Sequence, residues 1–537
     1  MTMVPQISSN ADHPFGSARF AEPREIARAG LFTREPHSLL VGFVGNQPLW
    51  YSDMGGAACF AGPRSGKLST LIGMNICYGI HAPSMLVLDV KGELAAISRN
   101  QTPDRKFCLY WNPQGLHGIG GDRINPLDHL RKDSRTLISD IKVFVENQIT
   151  MSGSPQGRYF EGRAKEIVEA VCLAIVNRDG VLTFQALYRA INLLVIGGDA
   201  WLDFAFEMSE SDIDLVRRVE EEVAGSRNDN AGGFKAVLGE ITQAFACLSD
   251  PDLMASVSPP FTASMAQMCE SDRTYQFYLM PPGDMVEAWA PVLKSFFVNA
   301  RTYKSRAPSA PRQTWVLDEI GNLGSFPLAL KLFTRDAGLG IRPWGFWQST
   351  EQMKSLAPGA EKIIPASAAL QNWFGVRDDD TAISLSRRLG YETLRYEDKE
   401  RRVRAEHAKR QAAMEAFSGR NPFKAAMEAA HHTKLGNVPA LKQRALLTQD
   451  EVLGLPSSKQ IIFADGLAHP ILADRYPYYD LPFMAGRYHP NPYFPPEDRV
   501  QVMTPRGPQW RPVIKERVPR RFAHYPQYRD GIWSRIG

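Results

Sequence analysis

Two short stretches of the chain carry residues that could bind and hydrolyse a nucleotide. The first, FAGPRSGKLSTLI at residues 60–72, places Gly66 and Lys67 in the spacing of a phosphate-binding loop. In such a loop backbone N–H groups form a concavity, a helix N-terminus adds positive potential, and the lysine reaches the phosphates. The strict pattern, Gly-x4-Gly-Lys-Ser/Thr, is broken by Ala61 at its first position and Leu68 at its last. A glycine turn with a chance lysine is the competing interpretation of this stretch alone.

The second stretch is TWVLDE at residues 314–319, an apolar strand that ends in Asp318 and Glu319. A phosphate-loop ATPase needs such a pair, because the Asp holds Mg²⁺ through its waters and the Glu orients and deprotonates the attacking water. An Asp-Glu pair at a strand end can also be an ordinary helix N-cap. The two stretches in this order, each at a strand end, favour an ATPase that uses ATP and Mg²⁺.

The loop itself supplies the candidate contacts to the nucleotide. These residues are Gly62, Pro63, Arg64, Ser65, Gly66, Lys67, Leu68 and Ser69. The residue after the lysine normally lends a hydroxyl to the metal, and Leu68 cannot do so. The hydroxyl of Ser69 or Thr70, or a water molecule, could take its place.

Three further polar residues are candidates for the same site. Gln348 follows the apolar run RPWGFWQS, where its amide could sense the γ phosphate; an ordinary surface glutamine is the alternative interpretation. Arg335 and Arg377 could complete the site from a neighbouring subunit as arginine fingers. Taken singly, each arginine could equally be a solvated or salt-bridged surface residue.

Five apolar runs with strand-like composition end in polar or acidic residues. They are residues 84–93, 274–283, 313–321, 341–349 and 458–466. Because continuous apolar strands separated by helical stretches are typical of parallel sheets covered on both faces, we predict an α/β fold with a mainly parallel sheet. Between the first two runs, residues 130–270 show helical spacing of apolar residues, which predicts an inserted all-α domain.

Length, charge and cysteine content limit the class of protein. A chain of 537 residues exceeds what one hydrophobic core supports, so we expect two or more domains. The formal net charge is +4, and the six cysteines contain no Cys-x-x-Cys pair, which argues against a zinc site and a disulfide framework. The first residues lack the basic and apolar regions of a signal peptide, so we expect a cytoplasmic protein.

Two segments are locally basic. Residues 396–444 contain eleven Lys and Arg against six Asp and Glu, with few large apolar residues, which predicts an exposed helical excursion. The tail from about residue 480 is rich in proline and shows neither a helix nor a strand period, so we predict that it wraps along a surface or is partly disordered.

The same tail interleaves cations with aromatic rings. These residues are Trp510, Arg511, Lys515, Arg517, Arg520, Arg521, Phe522, Tyr525, Tyr528 and Arg529. Single-stranded DNA is one ligand for such a surface, because phosphates attract the cations and bases stack on the rings. The alternative is that the rings pack on the globular body while the arginines stay solvated.

Eight stretches follow one another in order from about residue 15 to 480. They are FGSARFAEPREIARAGL (15–31), GPRSGK (62–67), VLDVKGEL (87–94), INPLD (124–128), VLDEIGNLG (316–324), GIRPWGFWQSTEQM (340–353), FGVRDDDTAISLSRRLG (374–390) and RALLTQDEVLGLPSSKQIIF (444–463). Together they resemble the type IV coupling proteins, the TraG-like and TraD-like ATPases of conjugation and type IV secretion.

The resemblance implies a fold, a cofactor and an assembly. It implies a RecA-like nucleotide-binding domain interrupted by an all-α domain, and a ring-shaped homohexamer with ATP between subunits. It also implies delivery of DNA or protein to a type IV secretion channel. By position, Lys67 would bind phosphate, Asp318 and Glu319 would serve the metal and the water, and Gln348 would sense the γ phosphate. In the family the loop varies at its first and last positions, which are the positions that Ala61 and Leu68 occupy in this chain.

On this basis the chain divides into seven segments. They are an N-terminal extension (1–45), the first part of the nucleotide-binding domain (46–129), the inserted all-α domain (130–270), the second part of the nucleotide-binding domain (271–395), the basic helical excursion (396–444), the last strands of the nucleotide-binding domain (445–479) and the basic, proline-rich tail (480–537).

The sequence departs from the family pattern at its start. Family members usually begin with transmembrane helices ahead of the GSAR segment, whereas this sequence has only about fifteen polar residues there. We therefore expect either a soluble member or one whose anchor belongs to another protein. In the second case the chain would be peripheral, at the cytoplasmic face of the inner membrane.

The leading functional hypothesis is an ATP-driven pump for single-stranded DNA, with its covalently attached relaxase, at a type IV secretion channel. A soluble receptor that docks protein substrates is the main alternative, in which the nucleotide site serves assembly. A third is a non-hydrolysing nucleotide-binding scaffold, which Leu68 alone suggests.

Overall fold

One large mixed sheet forms the centre of the protein. The computed structural model describes residues 13–77, 83–99, 106–149, 155–228, 232–396, 399–417 and 440–537, and the single residues 423, 427, 430 and 431. Within the predicted basic excursion at 396–444, the described residues are 396, 399–417, 423, 427, 430, 431 and 440–444; the other residues of this segment lie outside the described residues.

The described residues form sixteen strands. They are β1 (Leu39–Val44), β2 (Gln47–Tyr51), β3 (Ala57–Ala61), β4 (Ser84–Leu88), β5 (Lys106–Trp111), β6 (Thr274–Leu279), β7 (Gln313–Asp318), β8 (Ile341–Trp347), β9 (Leu370–Phe374), β10 (Tyr391–Tyr396), β11 (Ala440–Ala445), β12 (Lys459–Ala464), β13 (Ile471–Asp474), β14 (Arg499–Thr504), β15 (Gly507–Arg517) and β16 (Ile532–Ile536).

The described residues also form sixteen α-helices. They are α1 (Pro23–Arg28), α2 (Gly73–Cys77), α3 (Glu93–Ile97), α4 (Leu137–Gln148), α5 (Pro155–Asp179), α6 (Phe184–Ile196), α7 (Asp199–Ser209), α8 (Asp214–Asn228), α9 (Gly232–Ala244), α10 (Pro251–Ser256), α11 (Ala290–Arg306), α12 (Pro327–Thr334), α13 (Ala360–Ser367), α14 (Asp379–Leu389), α15 (Lys399–Phe417) and α16 (Gln449–Leu453).

Eleven strands form the main sheet, in the order β2-β1-β13-β12-β9-β3-β8-β7-β4-β6-β5. The seven strands from β9 to β5 are parallel to one another. The remaining four are antiparallel to their neighbours, including β12, which contains most of the run at residues 458–466. The predicted α/β fold with a mainly parallel sheet is therefore confirmed, and the expectation that this last run is a parallel strand is wrong.

Both faces of the sheet are covered by apolar side chains. Alternate residues of a central strand belong to two different apolar clusters, one on each face. In β3, Ala58 and Phe60 join one apolar cluster, while Ala57, Cys59 and Ala61 join the other. Strands that are buried on both faces have no polar side to present to water, which is why the sequence shows continuous apolar runs.

The helices α4 to α10 all lie between β5 and β6. Within the described part of residues 112–273, strand pairing is limited to isolated bridges, such as the one between Arg131 and Val181. The long helix α5 packs against α4, α8 and α9. Apolar residues of these helices belong to the same apolar cluster as Ala58 and Phe60 on one face of the sheet. The region predicted as an inserted domain is thus helical and continuous with the core.

Two of the proposed segment boundaries differ from the structure. Residues 1–45 were expected to form an extension, but β1 pairs with β13 inside the main sheet. Residues 396–444 were expected to be a helical excursion. Helix α15 does lie within this segment, but the last residues of the segment belong to β11, which pairs along its whole length with β10. Both pairings join segments that are far apart in sequence, so local composition gave no sign of them.

The tail contains more regular structure than its composition predicts. Strands β14, β15 and β16 form an antiparallel three-stranded sheet, so the expectation of a tail without strands is wrong. Pro508 and Pro512 within β15 obscure the strand pattern in the sequence. Elsewhere the tail does follow the surface of the body, as His489 N–H donates to Ile97 O at 2.8 Å.

The rings in the last part of the tail pack against the edge strand β5. Tyr525 stacks on Phe107 with ring centroids 4.5 Å apart, and Phe522 and Tyr528 are also buried. The side chain of Gln527 accepts a hydrogen bond from Cys108 N–H and donates to Lys106 O, both at 3.0 Å. The tail thus covers an edge that would otherwise expose unpaired backbone groups. No helix in the described residues has the length and apolar content needed to cross a bilayer.

Candidate functional site

The sequence-predicted motifs meet at the carboxyl edge of the parallel strands. Strand β8 lies between β3 and β7, with Phe60 opposite Trp347 and Asp318 opposite Phe346. The loop that follows β3, Gln348 after β8, and Asp318 at the end of β7 therefore emerge side by side. A crevice outside the carboxyl ends of parallel strands is the usual ligand site of such sheets.

The loop after β3 is a compact turn with two residues in the left-handed region. Arg64 has φ of 57° and Gly66 has φ of 86°, and Ser65 Oγ donates to Gly62 O at 2.6 Å. A Cβ at position 62 would collide with the carbonyl oxygen of Gly375, at the end of β9. This close approach requires glycine at position 62.

Ala61 departs from the strict motif without disturbing the loop. It is the last residue of β3, and its side chain is buried in the second apolar cluster. The backbone constraint that the motif assigns to its first glycine falls one residue later in this chain, on Gly62.

The helix that follows the loop starts with a π-helical turn at Leu68–Ile72 and continues as α2. The Gly73 N–H donates to Leu68 O, and a Cβ at position 73 would lie 2.9 Å from that oxygen and 2.8 Å from the ring of Tyr478. The absence of a side chain at Gly73 therefore permits the wider turn.

Two hydroxyl groups stand close to the position where Leu68 lacks one. Ser69 Oγ donates to Gly66 O at 3.2 Å, and Thr70 Oγ1 donates to the same oxygen at 2.8 Å. Both hydroxyls therefore stabilise the first turn of the helix. Leu68 itself is half-buried and packs against the second apolar cluster.

Lys67 and Asp318 form the electrostatic centre of the site. The Lys67 ammonium makes no hydrogen bond or ion pair with any described residue, and Asp318 Oδ1 is shielded from solvent without a hydrogen-bond partner. Burial raises the pKa of Asp318 to about 6, while the positive charge of Lys67 opposes that rise. The carboxylates of Glu319 and Glu93 add to it. The backbone N–H of Glu319 stabilises the Asp318 carboxylate in part, which leaves Oδ1 without a partner. A buried, unpartnered carboxylate oxygen near an unpaired lysine is the arrangement that a bound cation and an anion would satisfy.

Glu319 begins a tight turn directly after β7. Its φ of 53° and ψ of 29° lie in the left-handed region, which is unusual for a residue with a side chain and frequent at functional sites. Asn322 Nδ2 donates to its carboxylate Oε2 at 3.4 Å. The turn directs two consecutive carboxylates, Asp318 and Glu319, to the same edge of the sheet.

Gln348 lies between these two groups, at the end of β8. Its backbone N–H donates to Gln352 Oε1 at 2.8 Å, which fixes the backbone there. The Gln348 side chain is half-buried and makes no hydrogen bond to another described residue. Its amide therefore remains available to a ligand in the crevice.

The structure separates the two candidate arginines. The stem of Arg377 lies against the loop of its own chain, since its Cδ is 3.7 Å from the Cβ position of Gly62. Arg335 follows the C-terminal end of α12 and precedes β8, at the opposite, amino edge of the sheet. Both are exposed. The role of either arginine as a finger from a neighbouring subunit stays a prediction, and only Arg377 lies close to the loop of its own chain.

Sequence reasoning missed Arg475, which follows β13. Its Nη2 donates to Ser65 O at 2.8 Å and to Ser457 O at 2.7 Å, and its guanidinium stacks over the ring of Phe374 at 3.5 Å. Burial lowers the pKa of Arg475 to about 10. Because 410 residues separate it from Ser65, no local pattern could have indicated this contact.

The motif VLDVKGE also contributes a turn at the carboxyl edge. Asp89 accepts hydrogen bonds from Leu94 N–H at 3.0 Å and Ala95 N–H at 2.7 Å, so it caps α3. Burial raises its pKa to about 8. The tail holds this turn from outside, since Asn491 Nδ2 donates to Glu93 Oε1 and Tyr493 Oη donates to Lys91 O at 3.2 Å.

The donor set fits Mg²⁺ better than a metal that needs a protein cage. Within the described residues there is no group of three or more His, Cys, Asp or Glu placed to hold a metal. Mg²⁺ is usually bound through one or two carboxylates together with substrate phosphates and waters. Asp318, with its unpartnered Oδ1, supplies such a carboxylate beside the phosphate-type loop.

Comparison with solved structures places the fold among conjugative coupling proteins. The bacterial conjugative coupling protein TrwBdeltaN70 superposes with a TM-score of 0.57 and 14% identity, covering 87% of this chain and 96% of its own. The plasmid coupling protein TrwB in complex with ADP and Mg²⁺ gives a TM-score of 0.56 at 14% identity, covering 86% and 96%. At this level of identity the likeness shows a shared fold.

Two curated relatives extend the comparison to sequence. Both are conjugal transfer proteins TraG of Escherichia coli, each 24% identical to this chain, over 521 and 517 residues. The alignments cover 85% of this chain and 74% and 73% of the relatives.

The sequence profile of the family described as "Type IV secretory system Conjugative DNA transfer" matches residues 11–495. The match includes the phosphate-type loop, the helical region and the Asp318–Glu319 turn, and it ends just before β14. The predicted likeness to the type IV coupling proteins is thereby confirmed. The chain belongs to the type IV secretory system conjugative DNA transfer family.

Proposed function

We propose that this protein is an ATP-hydrolysing coupling protein that drives single-stranded DNA, with its attached relaxase, into a type IV secretion channel. The observation that carries the proposal is the arrangement at the carboxyl edge of β3, β8 and β7. There the loop that carries Lys67, the end of β8 with Gln348 and the end of β7 with Asp318 lie at neighbouring strand ends, and Asp318 Oδ1 has no hydrogen-bond partner.

Each residue of the crevice has a distinct role in the proposal. Backbone N–H groups of the loop at residues 62–69 would cradle the phosphates, with Lys67 as the point charge at their end. Mg²⁺, when bound, neutralises charge on the phosphate oxygens, and Asp318 would hold it. Glu319 would accept a proton from the attacking water. Gln348 would contact the γ phosphate from the central strand.

The missing hydroxyl at Leu68 weakens the metal shell but does not remove it. Ser69 Oγ makes only a local bond of 3.2 Å to Gly66 O, so a rotation of its side chain would release it. With one carboxylate from the protein, the remaining positions around the metal would be filled by phosphate oxygens and water. We expect a site that binds Mg²⁺–ATP with a weaker metal requirement than a loop with Ser at position 68.

The proposed active assembly is a homohexamer with nucleotide between subunits. In that assembly Arg335, which is exposed at the amino edge of its own sheet, would reach the loop of an adjacent chain. Arg377 lies against its own loop and would act within one subunit. A cation supplied from the adjacent subunit would stabilise the charge that develops during phosphoryl transfer.

Membership of a conjugative DNA transfer family supports DNA as the transported substrate. The TraG relatives are named as conjugal transfer proteins, and TrwB as a conjugative coupling protein. Components of the secretion channel and the relaxase are the partners that follow from this assignment.

ATP turnover by the full chain, with and without single-stranded DNA, tests the proposal. We expect turnover that rises with single-stranded DNA and falls as salt is increased, because phosphate contacts are screened. Lys67→Ala and Glu319→Gln should each lower turnover about 100-fold or more. The exposed controls Lys331→Ala and Glu351→Gln should retain it.

The two alternatives give different results in the same assay. ATP turnover that does not change when nucleic acid is added would favour a receptor for protein substrates. Nucleotide binding without turnover, together with DNA transfer that survives Lys67→Ala and Glu319→Gln, would favour a non-hydrolysing scaffold. Either result would overturn the pump.

A further inference from the structure

The hairpin of α6 and α7 exposes four large apolar side chains within twelve consecutive residues. Val195 is 44% exposed, Ile196 72%, Leu202 59% and Phe206 68%. Single exposed apolar residues are ordinary on protein surfaces. Four of them within twelve consecutive residues, on one helical hairpin, mark an interaction site more often than a bare surface.

The opposite side of α7 explains why these side chains point outward. Trp201, Phe204 and Met208 are buried and fasten the helix to the body of the all-α region. Leu202 and Phe206 are four residues apart, so they share the outer face of the helix. The fold therefore has no need of these two side chains for its own core.

The same segment is strongly acidic. Residues 190–216 contain six Asp and Glu and no Lys or Arg. Glu207 pairs with Arg178 at 3.4 Å, and Asp214 pairs with Arg217. The other four carboxylates, Asp199, Asp203, Glu210 and Asp212, make no ion pair with any described residue.

We propose that this hairpin is a docking surface for a basic amphipathic helix of a partner protein. The apolar face of such a helix would cover Leu202 and Phe206, and its Lys or Arg residues would meet the unpaired carboxylates at the rim. A nucleic acid does not fit, because its phosphates would be repelled by the same carboxylates. The inference goes beyond the proposed function and does not depend on nucleotide binding.

A model peptide provides the direct probe. We would titrate the full chain with a labelled 18-residue peptide of leucine and lysine, with the leucines spaced to form one helical face, and follow fluorescence anisotropy. A peptide of the same pattern with glutamate in place of lysine is the charge control. We expect binding of the lysine peptide that weakens with salt, and little binding of the glutamate peptide.

Surface variants locate the binding. The pair Leu202→Ser with Phe206→Ser, and the pair Asp199→Asn with Asp203→Asn, should each weaken the lysine peptide about tenfold. Phe494→Ser is the matched control, since Phe494 is 72% exposed on the tail, and it should leave the affinity unchanged. All of these variants should keep the wild-type unfolding midpoint and ATP turnover, which separates this test from that of the nucleotide site.

Four results would overturn the inference. The first is that both peptides bind the protein with equal affinity. The second is that the hairpin variants bind the lysine peptide as tightly as the wild type does. A third is binding of single-stranded DNA that the serine pair weakens, which would assign the surface to nucleic acid. The fourth is a loss of self-association in the serine pair by sedimentation, which would assign it to a second copy of this chain.

Discussion

The guanidinium of Arg475 donates a hydrogen bond of 2.8 Å from Nη2 to the carbonyl oxygen of Ser65, and so ties the end of β13 to the phosphate-type loop. The same nitrogen also donates to Ser457 O. The antiparallel part of the sheet thus contributes to the site, although none of its residues belongs to the loop or the Asp318–Glu319 turn.

Replacing Arg475 should loosen the loop. Arg475→Ala removes the donor to the half-buried carbonyl of Ser65 and to the carbonyl of the exposed Ser457, which water can replace. An unsatisfied buried group costs about 1–3 kcal/mol, so the loss at Ser65 should cost at most about that. We expect ATP affinity to fall about tenfold and the unfolding midpoint to drop. Calorimetric titration with ATP and thermal unfolding measure both, and Arg24→Ala, an exposed arginine on α1, is the control. Unchanged affinity would mean that the loop holds its shape without Arg475.

A pair of reciprocal substitutions tests which glycine the loop needs. Gly62→Ala should abolish ATP binding, because the new Cβ would collide with Gly375 O and push the loop away from β9. Ala61→Gly restores the strict motif but should leave ATP affinity within about twofold, since position 61 lies within a strand. The account predicts this order in an ATP titration, and the reverse order would contradict it.

Leu68→Ser restores the hydroxyl that the loop lacks. We expect ATP affinity in the presence of Mg²⁺ to increase about threefold to tenfold, with no change when the metal is chelated, because the new oxygen acts on the metal alone. Leu68→Ala controls for the loss of apolar packing. An equal effect in Leu68→Ala, or a gain that persists in chelator, would show that the hydroxyl is not a metal ligand here.

Asp318 should give the nucleotide-free protein a specific pH dependence. Its folded pKa of about 6 lies above the ordinary 3.8, because of burial. Below about pH 4 the carboxyl group is protonated in both the folded and the unfolded protein, and its burial costs no charge-related stability. As the pH rises from about 4 to about 6 the unfolded protein loses this proton first, so the free energy of unfolding falls. Above that, the buried carboxylate lowers the free energy of unfolding by about 3 kcal/mol.

Asp318→Asn removes this penalty while it removes the metal ligand. The variant should have a higher unfolding midpoint than the wild type at pH 8, and the difference should shrink toward pH 4. At pH 8 it should also lose the Mg²⁺-dependent part of ATP binding. Asp465→Asn, at an exposed carboxylate, is the control. Equal midpoints of wild type and Asp318→Asn at pH 8 would show that the carboxylate is not buried without a partner.

The local features of the site could be predicted from the sequence. Strands β4, β6, β7 and β8 appear as apolar runs in the sequence. Asp318–Glu319 stands out because it ends one of these runs, and Gly66–Lys67 stands out by its motif spacing. Their proximity follows from topology, since parallel strands end at one edge. The displaced glycine requirement at Gly62 could not be predicted, because it depends on Gly375, which is more than 300 residues away.

Long-range pairing accounts for the other differences. The contacts of Arg475 with Ser65, of β1 with β13, and of Gln527 with the edge of β5 each join distant parts of the chain. The tail had two interpretations from composition, DNA binding and packing on the body. Three of its rings, Phe522, Tyr525 and Tyr528, pack on the body, while Trp510 remains 54% exposed.

The central claim is that the loop closed by Gly66 and Lys67 and the carboxylate of Asp318 form one site for ATP and Mg²⁺. Calorimetric titration of the full chain with ATP, with Mg²⁺ and with chelator, tests it most directly. The account predicts uptake of one ATP per chain in the wild type, loss of uptake in Lys67→Ala, and loss of only the Mg²⁺-dependent part in Asp318→Asn. No uptake by the wild type, or uptake that Lys67→Ala leaves unchanged, would contradict it.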